Sequence, residues 1–499
     1  MSPASTRRRA STQNATRTNP EESEYVKPIL PLIACAFLLA TTQSARAAKP
    51  NILILFSDDQ GTLDVNCFGS KDLHTPNMDR LAKEGTRFTQ AYAHAVCCPA
   101  RAALLTARHP QRGDVNSWMQ SDMHADSGLN MALSEITIAE VLKGQGYDTA
   151  LFGKWHLGAH KNHGPMRQGF DQFFGIRDGF IDNYNHFYLH RQGFHDLYEG
   201  TKEVFAKGKY FPKLMVDRAL QFLDDKRRQE KPFFLYVPFN IPHYPEQALK
   251  EHADRYRNLA EPRRSYAAMI SSTDAFIGQI LDKLDERKLT KNTIVLFLSD
   301  NGHSEESYTI RIDGHRSGYS KGHRYGAGGG GGNTGSWIGR KGTFLEGGIR
   351  TPAILRYPDH VPAGAVRGQI VTAMDWFPTM FELGGLKLPK HQLDGHSAVP
   401  VIKSNDAPSA HKVLHFQWQE KWCVREGDWK LTHMKPTKAN PSGLSLHSLS
   451  DEKPEVNDYR KQKPEVVKRL QKLHEGFVKD VFGAGGVKVI RDPKRKLNL

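Results

Sequence analysis

Cysteine is scarce in this chain, which has five cysteines among 499 residues. Cys35 lies in an N-terminal segment that we expect to be removed, so Cys67, Cys97, Cys98 and Cys423 remain. So few cysteines in so long a chain exclude the disulfide framework of a small cross-linked domain. Cys97 and Cys98 are adjacent and cannot easily bridge each other. We therefore expect at least one cysteine to serve chemistry rather than cross-linking.

The sequence also lacks an apolar run long enough to cross a bilayer. The run at 29–40 is too short, and it follows a long polar stretch with several basic residues. Ala45-Arg46-Ala47 then places small residues at the two positions that a signal peptidase reads. These features predict a signal peptide at 1–47 and export to the periplasm or the extracellular space, without stable membrane insertion.

Motifs for nucleic acids and nucleotides are missing as well. The formal net charge is +15, but lysine and arginine are spread along the chain without a dense stripe. Such a charge suits an exported protein with an anionic substrate, and we expect no nucleic-acid partner. The glycine-rich segment at 326–335 is not followed by the Lys-Ser/Thr pair of a phosphate loop. We therefore predict an irregular loop there and no nucleotide site.

Short apolar runs alternate with helical patterns after the predicted signal. Five of these runs predict buried strands, at 51–56, 148–152, 232–237, 293–298 and 352–355. Met269, Phe276 and Ile280 follow the spacing of one buried face in a helix predicted at 266–284. Nearly continuous apolar strands separated by helices indicate a parallel sheet that is covered on both faces.

The C-terminal part of the chain has a different pattern, with shorter apolar runs. Strands of a separate, smaller sheet are predicted at 413–418 and 429–434, and a helix is predicted at 466–478. We therefore predict a large α/β domain at 48–388 and a smaller domain at 389–499.

Polar side chains follow four of the predicted strands, at the point where each strand ends. In chain order these residues are Asp58 and Asp59, Lys154 and His156, His243, and Asp300 and Asn301. Each signal alone is typical of a turn, a helix cap or a solvated side chain. Because ligands bind where the carboxyl ends of parallel strands meet, we expect these residues to form one site.

The residue types at this edge indicate the ligand. The acids and the amide offer only oxygen atoms, which select Ca²⁺ or Mg²⁺ rather than zinc. The positive or protonatable residues that we add to them are Lys154, His156, His243 and Lys341. A hard metal ion beside several cations describes a site for a compact anion such as sulfate or phosphate.

Cys97 precedes a predicted helix. Pro99 suits the first helical turn, and an alanine-rich stretch continues the helix. The backbone N–H groups at a helix N-terminus favour an anion, and Arg101 lies one turn further along. Two small buried cysteines at a helix start are the alternative interpretation, but the four strand ends favour a reactive Cys97.

The most specific motif in the chain is Cys97-Cys98-Pro99-Ala100-Arg101, which resembles the sulfatase signature Cys-x-Pro-Ser/Ala-Arg. The resemblance covers nearly the whole mature chain, including a Gly-Lys-Trp-His element at 153–156 and the segment at 346–352. It implies an alkaline phosphatase-like fold: a large, mixed, mostly parallel sheet sandwiched by helices, with a smaller C-terminal α+β domain that contains an antiparallel sheet. The activity it implies is the release of inorganic sulfate from sulfate esters.

The resemblance also implies a cofactor and a set of site residues. Cys97 would be converted to Cα-formylglycine by a formylglycine-generating enzyme or an anaerobic sulfatase-maturating enzyme. One Ca²⁺ ion would be bound by the residue at 97 together with Asp58, Asp59, Asp300 and Asn301. The other catalytic residues would be Arg101, Lys154, His156, His243 and Lys341.

In the mechanism that the resemblance implies, one hydroxyl of hydrated formylglycine attacks sulfur while Arg101 holds the diol. Lys154 and Lys341 clamp the sulfate oxygens. His243, helped by Lys341, protonates the leaving alcohol, and His156 takes the proton of the second hydroxyl so that sulfate leaves.

Two residues depart from the commoner family pattern. Ala100 replaces serine in the signature, which bears on recognition by the modifying enzyme. Ala107 replaces glycine in Thr106-Ala107-Arg108, which bears on the local backbone because alanine resists positive φ. Neither change removes a catalytic group.

The predicted substrate is a sulfated carbohydrate or an aryl sulfate. Polar, aromatic-rich segments at 182–186 and 190–196 suit sugar recognition, and structured surface loops are the alternative there. Two other functions stay open: a phosphodiesterase or phosphonate monoester hydrolase with the same fold and nucleophile, and a non-catalytic protein that binds sulfated glycans.

Overall fold

The computed structural model describes residues 49–118, 129–326 and 328–487. The signal peptide predicted at 1–47 lies outside these described residues. Among the helices that are described, none combines the length and the apolar character needed to cross a membrane.

A large mixed sheet forms the centre of the molecule. In the described chain its ten strands are β1 (Asn51–Ser57), β2 (Thr86–Tyr92), β3 (Asp148–Lys154), β4 (Gln172–Ile176), β5 (Tyr198–Glu199), β6 (Lys202–Glu203), β7 (Phe233–Pro238), β8 (Thr293–Ser299), β9 (Arg350–Arg356) and β10 (Ala365–Thr372). Their spatial order is β10-β2-β9-β8-β1-β7-β3-β4-β5-β6. The central strands β8, β1, β7, β3 and β4 are parallel, whereas β9 is antiparallel to both of its neighbours.

Helices cover both faces of this sheet. The α-helices in the described residues are α1 (Pro76–Glu84), α2 (Cys97–Thr106), α3 (Ile138–Gly144), α4 (Phe211–Asp224), α5 (Lys250–Arg255), α6 (Arg263–Glu286), α7 (Glu346–Ile349), α8 (Trp376–Leu383), α9 (Val399–Lys403) and α10 (Pro464–Phe482). Successive side chains of β1 point to opposite faces. Ile52 and Ile54 pack in the cluster that contains α2 and α8, while Leu53 and Leu55 pack in the cluster that contains α1, α4 and α6.

A second sheet, with four antiparallel strands, lies in the C-terminal part of the described chain. Its strands are β11 (Val413–Trp418), β12 (Lys421–Glu426), β13 (Trp429–His433) and β14 (Leu444–Ser448), in the same order in space as in sequence. Val466 and Leu470 of α10 pack on this sheet, against a cluster that includes Val424, Leu431 and Leu446.

These two sheets confirm the predicted class of fold, and every predicted strand and helix is present with ends shifted by a few residues. One inference from strand composition was wrong. The strand predicted at 352–355 is β9, which runs antiparallel rather than parallel. Every residue of β9 is buried, and its part at 352–355 is a continuous apolar run of the kind that parallel strands also have. The domain boundary placed at 389 stays a prediction.

The glycine-rich segment at 326–335 contains no strand or helix at its described residues, as predicted. Its glycines allow close backbone packing, which is clearest at Gly332. A Cβ atom on Gly332 would lie 2.0 Å from the Cβ atom of His303. Close packing therefore accounts for the glycine at this position of the loop.

A buried ion cluster joins the second sheet to the first. The Nζ atom of Lys430 on β13 lies 2.9 Å from Glu346 Oε1 and 2.8 Å from Glu455 Oε1, and all three side chains are fully buried. Glu346 Oε2 also accepts hydrogen bonds from Arg350 Nε at 2.7 Å and from the Tyr92 hydroxyl at 2.6 Å. Burial alone would raise the pKa of Glu346, but Lys430 and Arg350 hold that pKa well below its usual range.

Replacing Lys430 by methionine should destabilise the protein strongly. The variant leaves two buried carboxylates without the cation between them, and removing one partner of a buried ion pair costs about 3–5 kcal/mol. We expect a loss of that order in the free energy of unfolding, measured by urea denaturation. Lys438→Met makes the same change at an exposed loop position and should leave the midpoint nearly unchanged. Equal midpoints for the two variants would contradict this account of the cluster.

Candidate active site

Four neighbouring strands deliver polar residues to one edge of the large sheet. The strands β8, β1, β7 and β3 are adjacent and parallel, so their carboxyl ends lie side by side. Asp58 follows β1, Lys154 is the last residue of β3, and Asp300 follows β8. His243 lies a few residues beyond β7. The predicted strand-end residues are therefore gathered at a single site.

The acidic residues of this edge form a compact buried group. One ligand atom from each of Asp58, Asp59, Cys97 and His243 lies within 4.8 Å of the others. The backbone N–H of Asp59 donates to Asp300 Oδ1 at 3.1 Å. Asp59 adopts a positive φ of 66°, a conformation that non-glycine residues seldom adopt and that is often found at functional sites.

Asn301 is arranged in a way that fits a metal ligand. Its Nδ2 donates to Asp59 Oδ1 at 2.6 Å, while its Oδ1 is buried and has no hydrogen-bond partner among the described residues. A buried acceptor without a partner is costly unless something else satisfies it. Together with the carboxylate oxygens nearby, it completes a hard oxygen donor set that suits Ca²⁺ or Mg²⁺.

The pKa values of the carboxylates reflect their crowding. Burial raises the pKa of Asp59 to about 7, with Lys341 opposing the rise and Asp58 adding to it. Burial also raises the pKa of Asp300 to about 7, and the charge of Asp58 adds to the rise. Burial alone would raise the pKa of Asp58, but Lys154 and other cations lower this pKa well below the usual range. Carboxylates crowded in this way would gain from a divalent cation between them.

Cys97 is the first residue of α2, so the helix begins at this cysteine rather than after it. Its Sγ atom lies 3.5 Å from Asp58 Oδ1, and its side chain is buried. Burial raises the pKa of the Cys97 thiol well above its usual value. A buried, neutral thiol is a poor nucleophile. At the other end of α2, Ala107 takes a positive φ of 55°. Alanine therefore adopts the left-handed backbone conformation at the position where the commoner family pattern has glycine, although this conformation is unfavourable for it.

Arg101 links the helix to the acidic group. Its Nη2 atom lies 2.9 Å from Asp300 Oδ2 and 3.5 Å from Asp58 Oδ1. Its Nη1 donates to the backbone oxygen of Lys154 at 3.1 Å. The Nε atom of Arg101 is buried without a partner, so one donor of this guanidinium is not used within the described protein.

Two lysines flank the acidic group on different sides. Lys154 Nζ lies 2.5 Å from Asp58 Oδ2, and both side chains are fully buried. Lys341 Nζ lies 3.0 Å from Asp59 Oδ2. The desolvation of each lysine is outweighed by the carboxylates beside it, so the pKa of each is raised and both stay charged.

The two histidines are neutral in this environment. His156 Nε2 lies 3.2 Å from the backbone oxygen of Trp118, and since a carbonyl only accepts, this nitrogen carries the proton. Within the described part of the chain, the Nδ1 of His156 is buried and has no partner. His243 Nδ1 donates to the backbone oxygen of Tyr244 at 2.5 Å. Burial, reinforced by Lys154, lowers the pKa of His156 well below its usual value; burial, reinforced by Lys341, lowers the pKa of His243 to about 4.

Glu306 belongs to the site but was not predicted. Its Oε2 lies 2.8 Å from Lys341 Nζ and 3.3 Å from His243 Nε2. Burial acts to raise the pKa of Glu306, but Lys341 and His243 lower it to about 2, so the carboxylate is charged. Glu306 stands in a stretch without strand or helix, and no periodicity or motif in the sequence distinguishes it from Glu305 beside it.

The two segments predicted for sugar recognition lie near this edge. The segment at 190–196 belongs to a cluster of aromatic side chains in which Phe180 lies 5.2 Å from His243 between ring centroids, whereas Tyr184 in the other segment packs on Tyr210 instead. His190 stands 4.6 Å from Tyr308, and Phe180 stacks 6.3 Å from the same tyrosine. The cluster therefore joins the segment at 190–196 to the stretch that carries Glu306.

Buried carboxylates, flanking cations and a cysteine at a helix N-terminus, all at the carboxyl edge of a parallel sheet, define a hydrolase for esters of a compact oxyanion. A family model described as "Sulfatase" matches residues 50–386, and one described as "N-sulphoglucosamine sulphohydrolase, C-terminal" matches residues 336–478. The chain belongs to the sulfatase family and is a sulfate ester hydrolase. The resemblance seen in the sequence is thereby confirmed.

Several known proteins are similar over most of their length. N-acetylgalactosamine-6-sulfatase of Rattus norvegicus is 32% identical, over 81% of this chain and 74% of its own. Human steryl-sulfatase is 30% identical, over 76% of this chain and 74% of its own. The crystal structure of Ps i-CgsB in complex with k-i-k-neocarrahexaose has a TM-score of 0.71 and 29% identity, and the match covers 86% of this chain and 92% of that one.

Proposed function

We propose that this sulfatase releases inorganic sulfate from a sulfated carbohydrate, through a formylglycine hydrate made from Cys97 and with one bound Ca²⁺ ion. Similarity to an N-acetylgalactosamine-6-sulfatase and to Ps i-CgsB, solved in complex with k-i-k-neocarrahexaose, supports a sugar substrate. The aromatic cluster beside His243 supports it too, because aromatic rings in clefts suit the apolar faces of sugars.

The state of the Cys97 thiol supports its modification. A thiol whose pKa is raised by burial is seldom ionised, so the unmodified side chain is a weak nucleophile. Formylglycine, when present and hydrated, supplies one hydroxyl to attack sulfur and a second whose deprotonation expels sulfate. The modification requires a formylglycine-generating or anaerobic sulfatase-maturating enzyme as a transient partner. The segment at 1–47 would direct the protein to the periplasm or the extracellular space.

The oxygen-rich donor set supports one Ca²⁺ ion. We assign its protein ligands to Asp58, Asp59, Asp300 and Asn301 together with the modified residue at 97. His243 also lies within reach of these carboxylates, but calcium prefers oxygen to imidazole, so we leave it for proton transfer. The ion, when bound, lowers the pKa of a bound hydroxyl and offsets sulfate charge.

The remaining side chains of the site have separate roles in binding the substrate and in proton transfer. Lys154 and Lys341, which stay charged, bind sulfate oxygens from the two sides of the acidic group. Arg101, whose Nη2 lies beside Asp58 and Asp300, is the residue that we assign to hold the hydroxyls at position 97. His156 carries its proton on Nε2, and its Nδ1 has no partner in the structure as described, which suits a proton acceptor. Lys341, which is charged, and His243 lie beside Glu306 and are the donors that we assign to the leaving alcohol. Neutral His243 holds its proton on Nδ1, so it donates from Nε2 only after that nitrogen has taken up a proton.

The observation that carries this proposal is the convergence of Cys97, the buried carboxylates and two charged lysines in one group. The test is sulfate release from a panel of defined sulfated saccharides, with an aryl sulfate and an aryl phosphodiester assayed in parallel. We expect turnover of at least one saccharide and slower hydrolysis of the phosphodiester. Faster phosphodiester hydrolysis would reassign the enzyme to phosphorus chemistry, and binding without any hydrolysis would make it a glycan-binding protein.

Peptide mass spectrometry of the same sample tests the nucleophile. The peptide that contains Cys97 should carry the mass of formylglycine when the protein is made in a host with a maturation enzyme, while Cys98 in the same peptide stays a thiol. A fully active sample in which Cys97 is entirely thiol would refute the modification.

A further inference from the structure

Glu306 places a negative charge at the outer side of the pair formed by Lys341 and His243. Both residues of this pair contact Asp59 on one side and Glu306 on the other. The Asp59 side chain is 1% exposed, whereas the Glu306 side chain is 32% exposed. Asp59 therefore belongs to the buried acidic group, whereas Glu306 is on the solvent-exposed side of the pair.

The carboxylate of Glu306 is held firmly in this position. Its Oε2 accepts a hydrogen bond from Ser304 Oγ at 3.1 Å, and its backbone N–H donates to the same hydroxyl at 3.0 Å. The backbone oxygen of Glu306 accepts from the N–H of Gly329 at 2.9 Å. The Glu306 side chain therefore contacts Ser304 on its own loop as well as Lys341 and His243, and these contacts fix its position.

Aromatic side chains lie beside the Glu306 carboxylate. The hydroxyl of Tyr308 lies 3.4 Å from Glu306 Oε1, and the Tyr308 ring meets Phe180 and His190. Phe180 in turn contacts the His243 ring. A carboxylate next to aromatic rings can accept hydrogen bonds from sugar hydroxyls while the rings cover the apolar face of the sugar.

We infer that Glu306 is a specificity-determining residue. It favours sulfate esters whose leaving alcohol carries neutral hydroxyls near the ester bond, and it disfavours those whose leaving alcohol carries a second anion there. This inference rests on the proposed function. The leaving alcohol departs next to His243 and Lys341, so its substituents lie close to the Glu306 carboxylate. A neutral hydroxyl there donates a hydrogen bond to the carboxylate, whereas a carboxylate or a second sulfate is repelled by it.

The test compares two aryl sulfates of nearly equal shape, 3-carbamoylphenyl sulfate and 3-carboxyphenyl sulfate. The quantity measured is the ratio of kcat/KM for the carboxy substrate to that for the carbamoyl substrate. Glu306→Gln keeps the shape of the side chain and removes its charge, so this ratio should rise about tenfold relative to the wild type. Comparing each ratio with that of the wild type cancels the difference between the two leaving groups.

Two further variants serve as controls. Glu305→Gln removes the same charge one residue away, where the side chain is exposed and pairs with Arg340 at 2.7 Å, and should leave the ratio within about twofold of the wild type. Glu306→Asp keeps the charge and should retain the wild-type ratio even if its overall rate falls.

The outcomes separate this inference from the proposed function. An equal loss of both rates in Glu306→Gln, with an unchanged ratio, would overturn the inference and leave Glu306 as a support for Lys341. The same rise in Glu305→Gln would also overturn it, because the effect would then come from net charge. Failure of the wild type to cleave either aryl sulfate or any saccharide sulfate would instead count against the proposed function.

Discussion

Cys97→Ala should lower the rate of sulfate release by about 10⁴-fold or more, because a covalent nucleophile cannot be replaced by the groups around it. The substitution is mild for the fold. Position 97 is the first residue of α2, the helix is rich in alanine, and the side chain that shrinks is small. We expect circular dichroism and the melting temperature to change little, so the loss reports on chemistry. Rates should be measured on the best saccharide of the panel.

The neighbouring cysteine provides a matched control. Cys98 is also buried in the first turn of α2, and its Sγ donates to the backbone oxygen of Trp118 at 3.2 Å. Cys98→Ala makes the same chemical change one residue away, and we expect at least a tenth of the wild-type rate to remain, as is usual for the loss of a neutral hydrogen bond. A Cys97→Ala variant as active as Cys98→Ala would show that Cys97 is not the source of the nucleophile.

Asp300→Ala should remove the bound calcium and reduce turnover by about 10³-fold, since the metal contributes several kcal/mol to transition-state stabilisation. The side chain of Asp300 accepts both from Arg101 and from the backbone N–H of Asp59, so its loss disturbs the donor set at two points. The measurement is calcium content by mass spectrometry of the dialysed protein, together with kcat/KM. Asp313→Ala removes an exposed carboxylate that lies 86% open to solvent and should change neither quantity.

Calcium should also stabilise the wild-type protein and not the variant. An ion present at 100 times its dissociation constant adds about 2.7 kcal/mol to the folded state. The melting temperature of the wild type should therefore fall on chelation and recover when calcium is added back. Melting of Asp300→Ala should be insensitive to both treatments. Full turnover by Asp300→Ala, or wild-type melting that ignores calcium, would contradict the proposed metal site.

Much of the site could be predicted because its residues lie next to strands in the chain. Asp58 follows β1 directly and Asp300 follows β8 directly, so a correct strand prediction places both at the carboxyl edge. Lys154 is part of β3 itself. The prediction needed only local apolar runs and the rule that parallel strands share an edge. The roles given to these residues stay predictions until the variants are measured.

Other features could not be predicted in this way. Strand β9 contains the short apolar run of a buried strand at 352–355, but that run does not encode the direction of the strand, which depends on the path of the chain between β8 and β9. Strand β2 alternates buried and exposed positions and has no continuous apolar run, so it was missed. Glu306 is a charged residue in an irregular stretch, and only the course of that stretch brings it to Lys341.

The sequence by itself determined the fold class, the signature cysteine and the strand-end residues, because each depends on neighbours within a few positions of the chain. Only the tertiary structure decided which charges meet: that Arg101 pairs with Asp300, that Lys341 lies between Asp59 and Glu306, and that Glu306 is the more exposed of these two carboxylates. Electrostatic energy depends on distance in space and on burial, and neither can be derived from spacing along the chain.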